Sequence, residues 1–260
     1  MTSTQSMLTR VAIAAFAAAA AFTLGCAKPE LVAPTALVSP YDASRGEVLW
    51  AVAPLANESG ATIFDPNAIT DSVIRSVQQI DGIRCLPLNR VLAEMRALEM
   101  AVVGSPAEAA ALADRLGVNG LIIGTITDYD PYEPPTLGLS LALETTGTMP
   151  QIGGDGGLGL DALRGSVGET GTSGGAQRRY AELPTASVSV VYDARSHATL
   201  MALKRYAQGR HDPMSARGWQ RFLMSMPLYT DFAAHAAVSE LLDHERLRLA
   251  RAGALQVSSR

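Results

Sequence analysis

Seven residues, Gly120 to Ile126 (GLIIGTI), form an apolar run with no polar residue larger than threonine. A run this short, without alternation, fits a strand buried on both faces, and such a strand sits at the centre of a layered fold. The stretch before it supplies a helix with both ends marked. Ser105-Pro106-Ala107-Glu108 offers a capping box, in which Ser105 accepts the Glu108 N–H and the Glu108 carboxylate reaches back to Ser105. Ala109, Leu112, Ala113 and Leu116 give that helix a narrow, alanine-rich face. Gly117 stands where a helix C′ residue takes positive φ.

The same reading extends in both directions. Glu47 to Leu55 (EVLWAVAPL) is a compact run rich in β formers, and Asn57-Glu58-Ser59-Gly60 breaks it. Asp65-Pro66 then predicts an N-cap followed by proline at the first helical position. Ile69, Val73, Val77 and Ile80 recur at helical spacing until Asp81-Gly82. Ile83 to Leu86 is a second short strand, and Leu88, Val91, Leu92, Met95 and Leu98 mark one face of a second amphipathic helix. After the central strand, Leu137, Leu139, Leu141 and Leu143 alternate with small or polar residues, so the next strand buries one face. Val188, Val190 and Tyr192 alternate likewise. A turn at Ala194-Arg195-Ser196 leads to Thr199–Tyr206, read as the hairpin partner. Trp219 to Met226 and Leu228 to Ala250 read as helices, with Phe232, Leu241, Leu242 and Leu249 as buried anchors. This order implies an α/β (α+β) sandwich, a mixed β-sheet flanked by helices.

Three segments stand outside that pattern. Residues 145–180 are dense in glycine and sparse in large apolar side chains. They cannot offset the entropy of ordering, so a disordered insertion is expected. Residues 1–25 are different again. Arg10 is their one charge, and Val11 to Leu24 (VAIAAFAAAAAFTL) follow it. Fourteen helical residues span roughly 21 Å, short of the ~30 Å hydrocarbon core, which suits a signal peptide better than a permanent span. Residues 26–46 contain Pro29, Pro34 and Pro40 and read as a flexible tether reaching at most roughly 60 Å. One domain, 47–260, completes the chain.

The leader ends in Thr23-Leu24-Gly25-Cys26, which resembles the bacterial lipobox. The resemblance implies cleavage after Gly25 and lipidation of Cys26. Ala27 rather than Asp after the cysteine implies sorting to the outer membrane, facing the periplasm. Within the domain, VAPLANESG (Val52–Gly60) and AEAAALADRLGVNGLIIGTITDYD (Ala107–Asp130) resemble a family of envelope proteins. That family includes the curli secretion lipoprotein CsgG, the penicillin-binding-protein activator LpoB and the N-terminal domain of TolB. It implies a non-catalytic accessory or assembly part that binds another envelope protein or itself, with a CsgG-like secretion assembly as an alternative. The alternating ten-residue segments of a membrane barrel are missing from the insertion, which ranks that alternative second.

The remaining motifs point away from catalysis. Gly171-Thr172-Ser173-Gly174-Gly175 matches a nucleophile elbow by letter, yet lacks the strand and helix that strain such a serine. An envelope hydrolase using Ser173, or a cation held by Asp128 and Asp130, is the reading of last resort. Gly153, Gly154, Gly156, Gly157 and Gly159 imitate a phosphate loop without its Lys-Ser/Thr. His235 and His244 fall near opposite faces of one helix, whereas Glu240 and His244 share a face as a solvated pair. Asp128 and Asp130, with Pro131 behind them, read as a strand-ending turn. Tyr129 and Tyr132 serve either as an exposed partner contact or as cover for the end of the sheet. No cofactor, metal or small-molecule substrate is indicated. Without the leader the chain has 20 Lys+Arg against 25 Asp+Glu, a net charge of −5, which argues against nucleic acid. If Cys26 is lipidated, Cys85 in IRCLP has no partner and reads as a buried, inert thiol.

Overall fold

A computed structural model of the chain describes residues 33–41, 46–145, 186–212 and 214–258. Gly25, Cys26, Ser173 and the glycine-rich segment lie outside the described residues. The strands are β1 (Val48–Val52), β2 (Ala56–Asn57), β3 (Ile83–Cys85), β4 (Gly120–Asp130), β5 (Thr136–Thr145) and β6 (Ala186–Asp193). They form one sheet in the order β3-β1-β4-β5-β6, with β2 also paired to β4. β1 runs parallel to β3 and β4, and β2 parallel to β4. β5 is antiparallel to both neighbours. The sheet is therefore mixed, as the alternation of strand and helix signals implies.

Helices α1 (Pro66–Val77), α2 (Leu88–Ala97), α3 (Pro106–Leu116), α4 (His197–Ala207) and α5 (Met226–Ser258) cover it, with a short 3-10 turn at Gly218–Phe222. Successive β4 residues alternate between two cores, which is why GLIIGTI shows no polar face. Ile122 and Ile126 join Val48, Trp50, Val52 and the four β5 leucines against α1 and α5. Leu121 joins Ala51 and Ala53 against Val91, Met95 and Leu112 of α2 and α3. Each large side chain so enclosed stabilises the fold by about 1.5–3 kcal/mol. The second core includes no residue of β5 or β6, so Ser187, Ser189 and Val191 stay exposed on that face.

The helix signals mostly act locally. Asp65 accepts from the Asn67 N–H at 2.9 Å, and Pro66 follows it. Ser105 accepts from the Glu108 N–H at 3.2 Å, and Gly117 ends α3 with φ 65°. The return arm of the capping box differs: Glu108 accepts from the Gly104 N–H at 2.7 Å instead of reaching Ser105.

Four further expectations are corrected. Thr199–Tyr206 is not a hairpin strand but lies within α4, because Thr199, Leu203 and Ala207 fall on one helical face and all enter the core. Asp128–Asp130 is not a turn. β4 continues through it, past a register shift between Ile126 and Asp128. The expected helix at Trp219–Met226 is reduced to the 3-10 turn, and α5 begins at Met226. Finally, part of the expected tether packs on the domain. Leu37 and Tyr41 are 7% and 5% exposed, and Val38 bridges to Asp81. These two apolar side chains gain more by burial than a short free segment gains in entropy. Of the C-terminal anchors, Phe232, Leu241 and Leu242 are fully enclosed, while Leu249 is partly buried.

Candidate functional site

The carboxyl ends of parallel strands are where α/β sheets present ligand and partner groups. Here β2 and β4 deliver the 57–64 loop and residues 128–133 to one corner. The loop is braced by its own side chains. Asn57 Nδ2 donates to the Ala61 carbonyl at 2.7 Å, and Asn57 Oδ1 accepts from both the N–H and the hydroxyl of Ser59. That closure presents Phe64 to Tyr129. Their rings stack with centroids 4.0 Å apart and planes 20° from parallel, and burial raises the Tyr129 phenol pKa.

Tyr132 behaves differently. Its N–H donates to Asp130 Oδ1 at 3.1 Å, an Asx-type turn that directs the chain away from the sheet. The side chain is 76% exposed, and Ile63 in the neighbouring loop is 66% exposed. Tyr129 is therefore stacked on Phe64 within the corner, whereas Tyr132 is exposed.

Charge surrounds the aromatics. Arg195 Nε donates to Asp193 Oδ1 and Oδ2 at 2.9 and 3.1 Å, and its N–H to Oδ1 at 2.8 Å. These hydrogen bonds hold the Asp193 carboxyl below its usual range. Among the described residues Arg195 contacts Asp193 alone, and the Asp193 hydrogen bonds first, with the charges of Asp130 and Asp128 last, raise the Arg195 pKa. Among the described residues no group of His, Cys, Asp or Glu is arranged to hold a metal ion.

The histidines are scattered. His211 Nδ1 lies 2.6 Å from the Ala207 carbonyl, His244 Nδ1 meets the Ser187 carbonyl, and His235 is half-buried against Tyr206 at 5.0 Å. Among the described residues Cys85 forms no disulfide, and burial pushes its thiol up to about 12. Sequence reasoning missed Phe64, Ile63 and Arg195 at this corner. Phe64 and Tyr129 are distant in the chain, and no local pattern joins them. Among the described residues no helix is long and apolar enough to cross a membrane.

No family model matches the chain, and no curated protein matches its sequence. Among solved structures, the chain is similar in part to the LpoB C-terminal domain from Salmonella enterica. That likeness has 13% identity and a TM-score of 0.33, covering 40% of this chain and 77% of that one. The lipoprotein GNA1162 from Neisseria meningitidis is similar at 17% identity and a TM-score of 0.30, covering 46% and 93%. The hypothetical protein CT253 from Chlamydia trachomatis is similar at 10% identity and a TM-score of 0.34, covering 75% and 96%.

Proposed function

We propose that the chain is a lipid-anchored, non-catalytic protein of the bacterial envelope that docks another envelope protein through the Tyr132 corner. The observation that carries this reading is the leader ending in Gly25-Cys26. Acyl chains on Cys26 would hold the domain at a bilayer, facing the periplasm from the outer membrane. Tethering raises local concentration, so a modest interface suffices for specific contact.

Tyr132 supports the docking surface. It combines large apolar area with a hydroxyl and few rotamers, the properties that make tyrosine an interface anchor. The carboxylates of Asp128, Asp130 and Glu133 around it favour a partner surface with lysine or arginine.

The test uses the full chain expressed in a two-membrane bacterium. Mass spectrometry of the mature protein should find an acylated N-terminal Cys26, and Cys26→Ser should release the domain from the membrane fraction. A photo-crosslinker at position 132 should capture one reproducible envelope partner. An unmodified cysteine would remove the anchor, and an empty crosslink would remove the docking surface.

A further inference from the structure

Strand β6 ends the sheet, and half of its backbone groups face away from β5. Their direction follows from the register. The Ala194 N–H donates to the Pro135 carbonyl at 3.0 Å, and β5 and β6 keep a regular antiparallel register from Thr136/Asp193 to Leu143/Ala186. Hydrogen-bonded pairs alternate along such a ladder, so the even residues from Ala186 to Tyr192 point N–H and C=O at β5. Ser187, Ser189, Val191 and Asp193 therefore point theirs outward. The Ser187 carbonyl meets His244, and the Asp193 carbonyl accepts from the Ser196 N–H at 2.9 Å. The outward N–H and C=O groups of Ser189 and Val191 meet no partner among the described residues.

Exposed edges in native proteins are blunted by lysine, proline, inward charge or a bulge. Ala186 to Tyr192 (ASVSVVY) contains no charge and no proline, and its pairing with β5 has no register shift. Val191 is 52% exposed. Leu247, three positions after His244 on α5, is 55% exposed and lies on the stripe of α5 that reaches this edge.

We propose that β6 pairs with β6 of a second copy of this chain, antiparallel about a two-fold axis at Ser189, joining two sheets into one. In that register Ser189 faces its own counterpart, and Ser187 faces the partner's Val191. Val188 meets the partner's Val190 on the helical side. No like charges oppose one another between Ser187 and Val191, and the outward groups of Ser189 and Val191 in both copies find partners, the Ser187 carbonyl accepting from the partner's Val191 beside its contact with His244. An unrelated strand could use the same hydrogen bonds, but the pairing of β-branched Val188 with Val190 on the helical side, and the absence of any charge or proline along the reversed strand, favour a second copy. The inference rests on the reading of a protein-binding part and deepens it, on a surface other than Tyr132, so that either contact can fail alone.

The test uses the full chain in mild detergent, with Cys85→Ser as background. Ser189→Cys should give a covalent dimer on mild oxidation, whereas Ala110→Cys, on the exposed side of α3, should not. In sedimentation, Ser189→Lys and Ser189→Glu should each weaken the native dimer by about tenfold or more, since each sets like charges opposite one another. An equimolar mixture of the two should restore it, which also shows that both variants fold. A native chain that stays monomeric up to its solubility limit overturns the proposal. So does a dimer that ignores both charge variants, or one that gives no Ser189→Cys product.

Discussion

The Tyr41 hydroxyl donates to Glu245 Oε1 at 3.1 Å across 204 positions of chain, tying the segment before the first strand to the last helix. Glu245 is fully buried, and Arg248 answers it with Nε and Nη2, each 2.6 Å away. Burial, then the neighbouring carboxylate, pushes the Tyr41 phenol well above its ordinary range. The Tyr41 ring meets buried Trp50 edge-on, with centroids 6.0 Å apart.

Removing Glu245 should therefore cost far more than removing the hydroxyl. Glu245→Ala strands the Arg248 guanidinium, whose side chain is only 10% exposed, and should destabilise by about 3–5 kcal/mol. Tyr41→Phe loses one hydrogen bond and should cost about 1 kcal/mol. Urea unfolding followed by Trp fluorescence separates the two. Coincident curves for Glu245→Ala and the native chain would dismiss the buried pair as a support.

His235 should make the fold sensitive to acid. Burial first, and the nearby Arg210 charge second, lower its pKa from 6.5 to about 4. The folded chain then binds fewer protons than the unfolded one between these values. The stability this neutral ring contributes is complete above about pH 6.5 and is lost as pH falls towards 4. His235→Phe keeps the ring packed on Tyr206 and removes the proton. Its melting temperature should fall less than the native value across that window, and parallel declines would count against the assignment.

Cys85 should make the opposite contribution at alkaline pH. Burial raises its thiol from 9.0 to about 12, so the folded state holds a proton that the unfolded state releases. The associated stability is present below pH 9 and is lost as pH rises from about 9 to 12. At pH 8 a thiol reagent should label Cys85 slowly in the folded chain and rapidly in urea. Equal rates would show that the strand opens readily.

Gly124 should tolerate no side chain. A Cβ there would lie 2.2 Å from the Ser140 carbonyl oxygen of the paired strand, and a backbone oxygen in a ladder has nowhere to move. Gly124→Ala should cost about 3 kcal/mol. Gly104→Ala, whose Cβ would meet only Glu108 Oε2 at 3.6 Å, serves as the control. Thermal unfolding of both variants gives the comparison, and equal midpoints would refute the clash.

Features that rest on neighbouring residues are legible in the sequence. The caps at Asp65 and Ser105, the left-handed Gly117, and the strand and helix order from Val48 to Thr145 depend on backbone propensity and periodicity within a few positions. The same locality produced the error at Thr199–Tyr206. Its residues suit a helix or a strand, and what decided was that Thr199, Leu203 and Ala207 find one core to enter together.

By itself, then, the sequence determined the two-sided burial of β4 and the α/β class, because each is written in a contiguous pattern of polarity. Only the tertiary structure decided that Tyr41 meets Glu245 of α5, and that Phe64 stacks on Tyr129 while Tyr132 stands clear. The same holds for the outward groups of β6. Each of these is a contact, or a missing contact, between segments far apart in the chain, and its energy exists only once the fold has brought them to one place.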